Sequence, residues 1–171
     1  MILVDVNLLL YAANRDSRDN AVAQPWLETR LSGVERVGMA WPTLLAFVRL
    51  SSNARATSNA ISPAEAWSFV ETQWLSRPNV WIPEATPSHA SILRFLFSNW
   101  GTTHQKVSDA ELAATAIEHG LTLCSADNGF ATVPGLQWTN PLRPNTLHER
   151  PPLPWLTPAK TGRPSSPKSR R

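Results

Sequence analysis

The sequence predicts an α/β domain built around a short, mainly parallel sheet. Brief apolar, β-branched runs alternate with longer stretches of helical periodicity, which is the pattern of βα units. Helix-start signals recur between the runs. At 171 residues, 42% of them hydrophobic and eight of them tryptophan, the chain is long enough for one domain with a substantial core.

The elements follow in order. Ile2-Leu-Val4 reads as a buried strand. Leu8, Leu9, Leu10, Tyr11, Ala12 and Ala13 form a helical stretch that stops near Asn14, and Ala21 to Leu31 form another that ends at Gly33. Arg36 to Ala40 is a short strand. Pro42 suits the first turn of a helix carrying Leu44, Leu45, Phe47, Val48 and Leu50. Ser62-Pro-Ala-Glu65 is a capping box, opening a helix with Ala66, Phe69, Val70 and Trp74 on one face. Asn79 to Ile82 is a strand closed by Pro83. Thr86-Pro87 opens a helix whose inner face is Ile92, Leu93, Leu96, Phe97 and Trp100. Ser108-Asp-Ala-Glu111 has the spacing of a second capping box, for a helix running to His119 and stopping at Gly120. Leu121 to Cys124 and Leu136 to Trp138 are the last strands.

From about Pro141 the composition changes. Six of the 15 prolines lie at or beyond Pro151, among Ser, Thr, Lys and Arg. The expected division is a folded domain over residues 1–142 and a Pro-rich basic tail over 143–171, disordered because it has too little apolar surface to offset its ordering entropy. The net charge of +3 belongs to that tail. From Arg150 onward there are six basic residues and no acid, which leaves ten basic against 13 acidic residues before it. Bulk charge therefore does not mark the body as a nucleic-acid binder. The single cysteine excludes an internal disulfide framework. Met1-Ile-Leu-Val-Asp5 has no basic residue ahead of its apolar run and is not a secretory signal. No apolar stretch approaches the roughly 20 residues of a membrane span, so a cytoplasmic location is expected.

Three aspartates carry the chemical argument. Asp5 directly follows the first strand, and Asp127 lies just beyond the strand ending at Cys124. Asp109 is in the first turn of the helix preceding that strand. Ligand sites of open parallel sheets form outside the carboxyl ends of the strands, where Asp5 and Asp127 fall. Two unit charges about 4 Å apart near a surface repel by roughly 4 kcal/mol, so converging carboxylates need protons or a cation. Hard oxygen ligands suit Mg²⁺ or Mn²⁺, and such a site suits hydrolysis of a phosphodiester. Singly, each acid has a structural explanation. Asp109 complements a helix dipole, Ser125-Ala-Asp-Asn-Gly129 makes a good turn, and Glu111 serves its capping box. Only the combination points to a site.

Other candidates are thinner. Arg49 and Lys106 are possible phosphate contacts, the sharper alternative to solvated surface cations. The histidines at 89, 104, 119 and 148 have no metal-ligand spacing, and His119 suits a helix C-terminus. Cys124 reads as a small buried apolar residue, and the tryptophans read mostly as core.

Several blocks together resemble one family. Met1 to Ala13, Thr43 to Leu50, Val107 to Ala114, Ala116 to Gly120, and Ser125-Ala-Asp127 with Phe130 are similar, in order and spacing, to the PIN-domain toxins of VapBC toxin–antitoxin systems. The likeness covers about residues 1–142. It implies a PIN-like three-layer α/β/α nuclease domain and a Mg²⁺- or Mn²⁺-dependent endoribonuclease that leaves a 5′-phosphate. It also implies a VapB-type antitoxin and, commonly, a homodimer. Asp5 and Asp109 match the family's principal metal ligands, and Asp127 matches a further acidic position. Asn7 and Ser125 match supporting polar positions, as does Thr43. Where the helix after the second strand usually carries an acid, this chain has Ala46, so three acids remain and a two-metal mechanism loses support.

Two further readings stand beside that one. The domain binds RNA or an antitoxin without cutting, with Ala46 as the mark of impaired catalysis. Alternatively it is a haloacid-dehalogenase-like phosphatase, which also starts with a strand and an Asp. That chemistry needs a second Asp two residues on, where this chain has Asn7.

Overall fold

The computed structural model describes residues 1–143 and Leu153. The expected tail therefore lies outside the described residues except for Arg143 and for Leu153, which is buried. Five strands, β1 (Ile2–Val4), β2 (Val37–Gly38), β3 (Val80–Trp81), β4 (Thr122–Cys124) and β5 (Gln137–Thr139), form one sheet in the order β3-β2-β1-β4-β5. Every pairing is parallel, with Val4 opposite Cys124 and Leu3 opposite Gly38. Parallel neighbours need crossover connections, which six helices supply. They are α1 (Val6–Ala13), α2 (Asn20–Leu31), α3 (Trp41–Ser51), α4 (Pro63–Val70), α5 (His89–Asn99) and α6 (Val107–Glu118).

Strand periodicity sorts the helices into two layers. Leu3 and Leu123 point into a cluster with Ile92 and Leu96 of α5 and Ala110, Ala113 and Ala114 of α6. Ile2, Val4 and Cys124 point the other way, into a cluster with Leu8, Leu9, Leu27, Leu44, Phe47 and Val70 from α1 to α4. The result is the expected α/β/α sandwich. Gly38 suits the crowded β1–β2 contact, since a Cβ there would lie a tight 3.1 Å from Leu3 Cδ1 and 3.3 Å from the Ile2 carbonyl. Leu153 closes the core beside Gly135, which has a φ of +79° and where a Cβ would lie 2.8 Å from Leu153 Cγ, leaving no room for a side chain.

Strand and helix positions follow the sequence reading within a residue or two. The Ser62 capping box is present. Ser62 accepts from the Glu65 amide at 3.2 Å, and Glu65 accepts from the Ser62 amide at 2.8 Å. The second one is absent. α6 grows from a 3-10 turn at His104–Lys106, its cap residue is Lys106, and no side chain caps it. Ser108 is thus already inside the helix. Burial raises the pKa of Glu111, His89 of α5 and the Thr115 hydroxyl oppose the shift, and Glu118, further along α6, adds to it.

Phe97 is a second correction, being 45% exposed instead of core. At 100° per residue it lies about 140° around α5 from Ile92, off the buried stripe. A five-residue π-turn, Glu71–Leu75, extends α4 and carries Trp74 into the core. Trp74, Trp100 and Trp138 are buried as the sequence suggested, whereas Trp41 is exposed and stacks on Trp67. Cys124 is buried, which pushes its thiol up to about 12.

α5 is tied to the end of α6 by Glu118, whose side chain is fully buried. Its carboxylate accepts from the Thr86 amide (3.0 Å) and hydroxyl (2.6 Å), and lies 2.8 Å from His89 Nδ1. Removing the acceptor strands three part-buried partner groups, and a buried donor left unpaired costs about 1–3 kcal/mol. Glu118→Ala should therefore lower unfolding free energy by roughly 3 kcal/mol in urea titrations. A loss below about 0.5 kcal/mol would show that the anchor carries no stability.

Candidate active site

The order β3-β2-β1-β4-β5 runs outward from β1 in one direction through β2 and β3, and in the other through β4 and β5. The chain reverses its direction of growth between β1 and β4, which opens a crevice at their carboxyl ends. Asp5 and Ser125 are the first residues beyond those two strands.

Asp5 is held there by its own backbone and by two side chains. Its amide donates to the Cys124 carbonyl at 3.0 Å, extending the β1–β4 ladder by one residue. It caps α1, with Oδ1 accepting from the Val6 amide at 2.6 Å. Oδ2 accepts from the Ser125 hydroxyl at 2.6 Å and from Asn7 Nδ2 at 2.7 Å. The Ser125 hydroxyl is fully used. It donates to Asp5 and accepts from Asn7 Nδ2 at 2.9 Å and from the Asp127 amide at 3.0 Å. Asn7 Oδ1 accepts from the Ala126 amide at 3.2 Å, closing a network across the β1–β4 junction. Asn7 and Ser125, named from the sequence as supporting positions, are thus in contact with Asp5.

Burial dominates the electrostatics. Asp5 is 8% exposed, and its pKa is pushed up to about 6. Loss of solvent is the main cause, the Ser125 and Val6 hydrogen bonds oppose it, and the charges of Asp109 and Asp127 add to it. Asp109, half-buried in the first turn of α6, is raised by burial and then by Asp127, against the pull of Lys106. The three carboxyl groups named from the sequence therefore lie in one another's fields. Asp127 also fills its structural role, its Oδ1 accepting from the Gly129 amide at 2.7 Å. Among the described residues, no group of three or more His, Cys, Asp or Glu side chains is arranged to hold a metal ion.

Thr43 is buried in the first turn of α3, at the same sheet edge, and Ala46 is half-buried on the next turn. Arg49 is exposed in the last turn of that helix, about 12 Å along the axis from its start. Lys106 immediately precedes α6, and its ammonium sits 4.9 Å from the centre of the Trp100 ring. Sequence reasoning missed that seat. It also missed Asn140, buried just beyond β5, which donates to the Ala126 carbonyl at 3.4 Å. The Thr-Asn-Pro turn after a strand was the available signal for Asn140. Nothing in the spacing signalled the Trp100 contact.

The raised Asp5 pKa fixes a pH dependence. A carboxyl that titrates near 6 when folded and 3.8 otherwise weakens folding above pH 6, and that burden disappears as pH falls through 6 toward 4. In chelator-treated protein the parent should lose stability between pH 4 and 7, and Asp5→Asn, which has no carboxyl to titrate there, should flatten that change. A variant that loses as much stability as the parent across that range would contradict this origin of the shift.

No family model matches the chain. It is 36% identical over 143 residues to ribonuclease VapC33 of Mycobacterium tuberculosis, covering 84% of this chain and 99% of that protein. It is 39% identical over 141 residues to ribonuclease VapC37 of the same organism, covering 82% and 97%. Among solved structures, VapBC2 from Rickettsia felis bound to a promoter DNA fragment superposes with a TM-score of 0.62 at 19% identity, covering 82% of this chain and 98% of that one. The Mycobacterium tuberculosis toxin VapC20, described as cleaving the sarcin–ricin loop, gives 0.56 at 16% identity, covering 77% and 93%. The solved structures establish the PIN-like fold, and the identity to the curated relatives over most of their length establishes descent: this chain belongs to the VapC ribonuclease family.

Proposed function

We propose that this chain is the toxin of a type II toxin–antitoxin pair, an endoribonuclease that hydrolyses RNA phosphodiester bonds with Mg²⁺ or Mn²⁺. The observation that carries the reading is Asp5. A buried carboxylate with a raised pKa, locked at the β1–β4 crevice and facing the fields of two more aspartates, is a poor device for stability and a good one for binding a hard cation. The donor types fit such an ion in chemistry, being carboxylates with hydroxyl and amide groups around them, but their side chains do not converge as a ligand group in this structure, so Asp109 and Asp127 would have to turn toward Asp5 to hold one.

Asp5, Asp109 and Asp127 would hold the cation. When bound, it supplies Lewis acidity toward water and toward a phosphoryl oxygen. The rest is done by the chain's own atoms. Ser125 and Asn7 fix the rotamer of Asp5 by donating to Oδ2, so that carboxylate is oriented before any ligand arrives. Asn140 and Asn7 hold the 125–127 turn from both sides, which positions Asp127. The N-terminus of α6 places its positive dipole end beside Asp109. Thr43 supports the edge from α3.

A VapB-type antitoxin that blocks the crevice is the proposed partner, since the similar solved structures include VapBC assemblies. A homodimer in the cytoplasm completes the reading. The alternative without catalysis, suggested by Ala46, is not favoured, because the curated relatives are named ribonucleases.

Incubation of the purified chain with total RNA should give fragments in Mg²⁺ or Mn²⁺ and none with chelator. Asp5→Asn and Asp109→Asn should each reduce cleavage at least about 100-fold while keeping the parent's circular dichroism, the usual scale for loss of a group that positions a catalytic metal. Cleavage by either variant at the parent's rate would overturn the assignment.

A further inference from the structure

A cluster of three carboxylates repels the phosphodiester it is meant to cleave, so a nearby cation has a function to fill. Lys106 is the residue whose positive charge acts on Asp109. It stands three positions before Asp109, at the junction of the 3-10 turn and α6.

The seat of Lys106 is built from other segments. Its ammonium lies over Trp100, and Trp100 is buried and stacks on Phe130, with ring centroids 6.4 Å apart and planes 21° from parallel. Trp100 Nε1 donates to the Thr132 hydroxyl at 2.9 Å, and that hydroxyl donates to the Gly129 carbonyl at 2.9 Å. Phe130, Thr132 and Gly129 belong to the turn that starts at Asp127. One stack thus links the segment carrying Asp127 to the segment carrying Asp109, with Lys106 on top.

The chemistry of the seat favours a ligand over a purely structural pair. A ring face attracts the ammonium without using up its N–H donors, of which lysine has three. No carboxylate within salt-bridge distance of Lys106 occurs among the described residues. The charge is held in place and its donors remain for an anion. Lysine recognises phosphate as a point charge.

We infer that Lys106, seated on the Trp100–Phe130 stack, binds a non-bridging oxygen of an RNA phosphate at the acid cluster and so positions the substrate there. The inference rests on the ribonuclease reading for its choice of anion. Arg49, two turns of α3 away from the sheet edge, is not part of this contact.

Binding of a fluorescein-labelled single-stranded RNA oligonucleotide to the full chain, measured in chelator by anisotropy between about 50 and 200 mM salt, tests it. Lys106→Gln should weaken binding and reduce the slope of log affinity against log salt by about 0.7, the value for one phosphate contact on a single strand. Lys106→Arg should restore that slope. In Mn²⁺, Lys106→Gln should raise KM for the same RNA more than it lowers kcat. A Lys106→Gln variant with an unchanged salt slope overturns the inference, whatever happens to its melting temperature. If the parent binds RNA with the Lys106-dependent slope yet never cleaves it, the nuclease reading fails while the phosphate contact stands.

Discussion

The structure around the crevice depends on one hydrogen bond, from the Ser125 hydroxyl to Asp5 Oδ2 at 2.6 Å. It joins residues 120 positions apart, across the β1–β4 junction where the two halves of the sheet meet. A hydroxyl has one proton to give, and here it is committed to Asp5 because both remaining lone-pair directions are taken by Asn7 and the Asp127 amide. The orientation of the carboxylate is therefore dictated by neighbours that have no freedom to reorient. The burial that raises the Asp5 pKa and the hydrogen bonds that oppose the shift come from the same packing. Such a site is preorganised at the expense of stability in the absence of a cation.

The sheet order makes that meeting possible, and it was legible only indirectly. Ile2-Leu-Val4 and Leu121 to Cys124 could be recognised as buried strands by composition, and parallel pairing followed from the intervening helices. Their adjacency required a different argument, that acids after two strands belong at one carboxyl edge. The structure provides the adjacency by pairing Val4 with Cys124. The alternation within β1, Leu3 to one layer and Ile2 and Val4 to the other, then assigns α5 and α6 to one face and α1 to α4 to the opposite face. No residue pattern in the helices themselves specified which face each one covers.

Where the sequence misled, a local pattern was matched without its backbone requirement. Ser62-Pro-Ala-Glu65 and Ser108-Asp-Ala-Glu111 have the same spacing. A capping box forms only if the serine is extended, as Ser62 is at φ −66°, ψ 154°. The chain entering α6 is already turning, with Lys106 at φ −97°, ψ 7°, so Ser108 has helical neighbours on both sides and its partner is released. Glu111 accepts instead from the Thr115 hydroxyl at 3.4 Å, within the fields of His89 and Glu118. Phe97 failed for a related reason: an apolar residue adjoining a buried stripe is counted with it unless the angle is measured. The Lys106 seat depends on Trp100, Phe130 and Thr132 meeting from separate segments, and no spacing rule reports a three-segment contact.

The charge balance of the crevice gives Ala46 a physical meaning. A fourth carboxylate on α3 would add another negative charge to a site where Asp5 already titrates near 6, and it would call for a second cation to offset it. With alanine there, a dication bound as proposed and the Lys106 ammonium would together offset the charge of Asp5, Asp109 and Asp127. A lysine held over an indole ring supplies that last charge from a fixed place, without the hydration cost of bringing in another ion. It also does so at the entrance to α6, where the helix dipole already favours an anion. On the proposed reading, an alanine on α3 and a seated ammonium beside Asp109 would both limit the negative charge of the crevice.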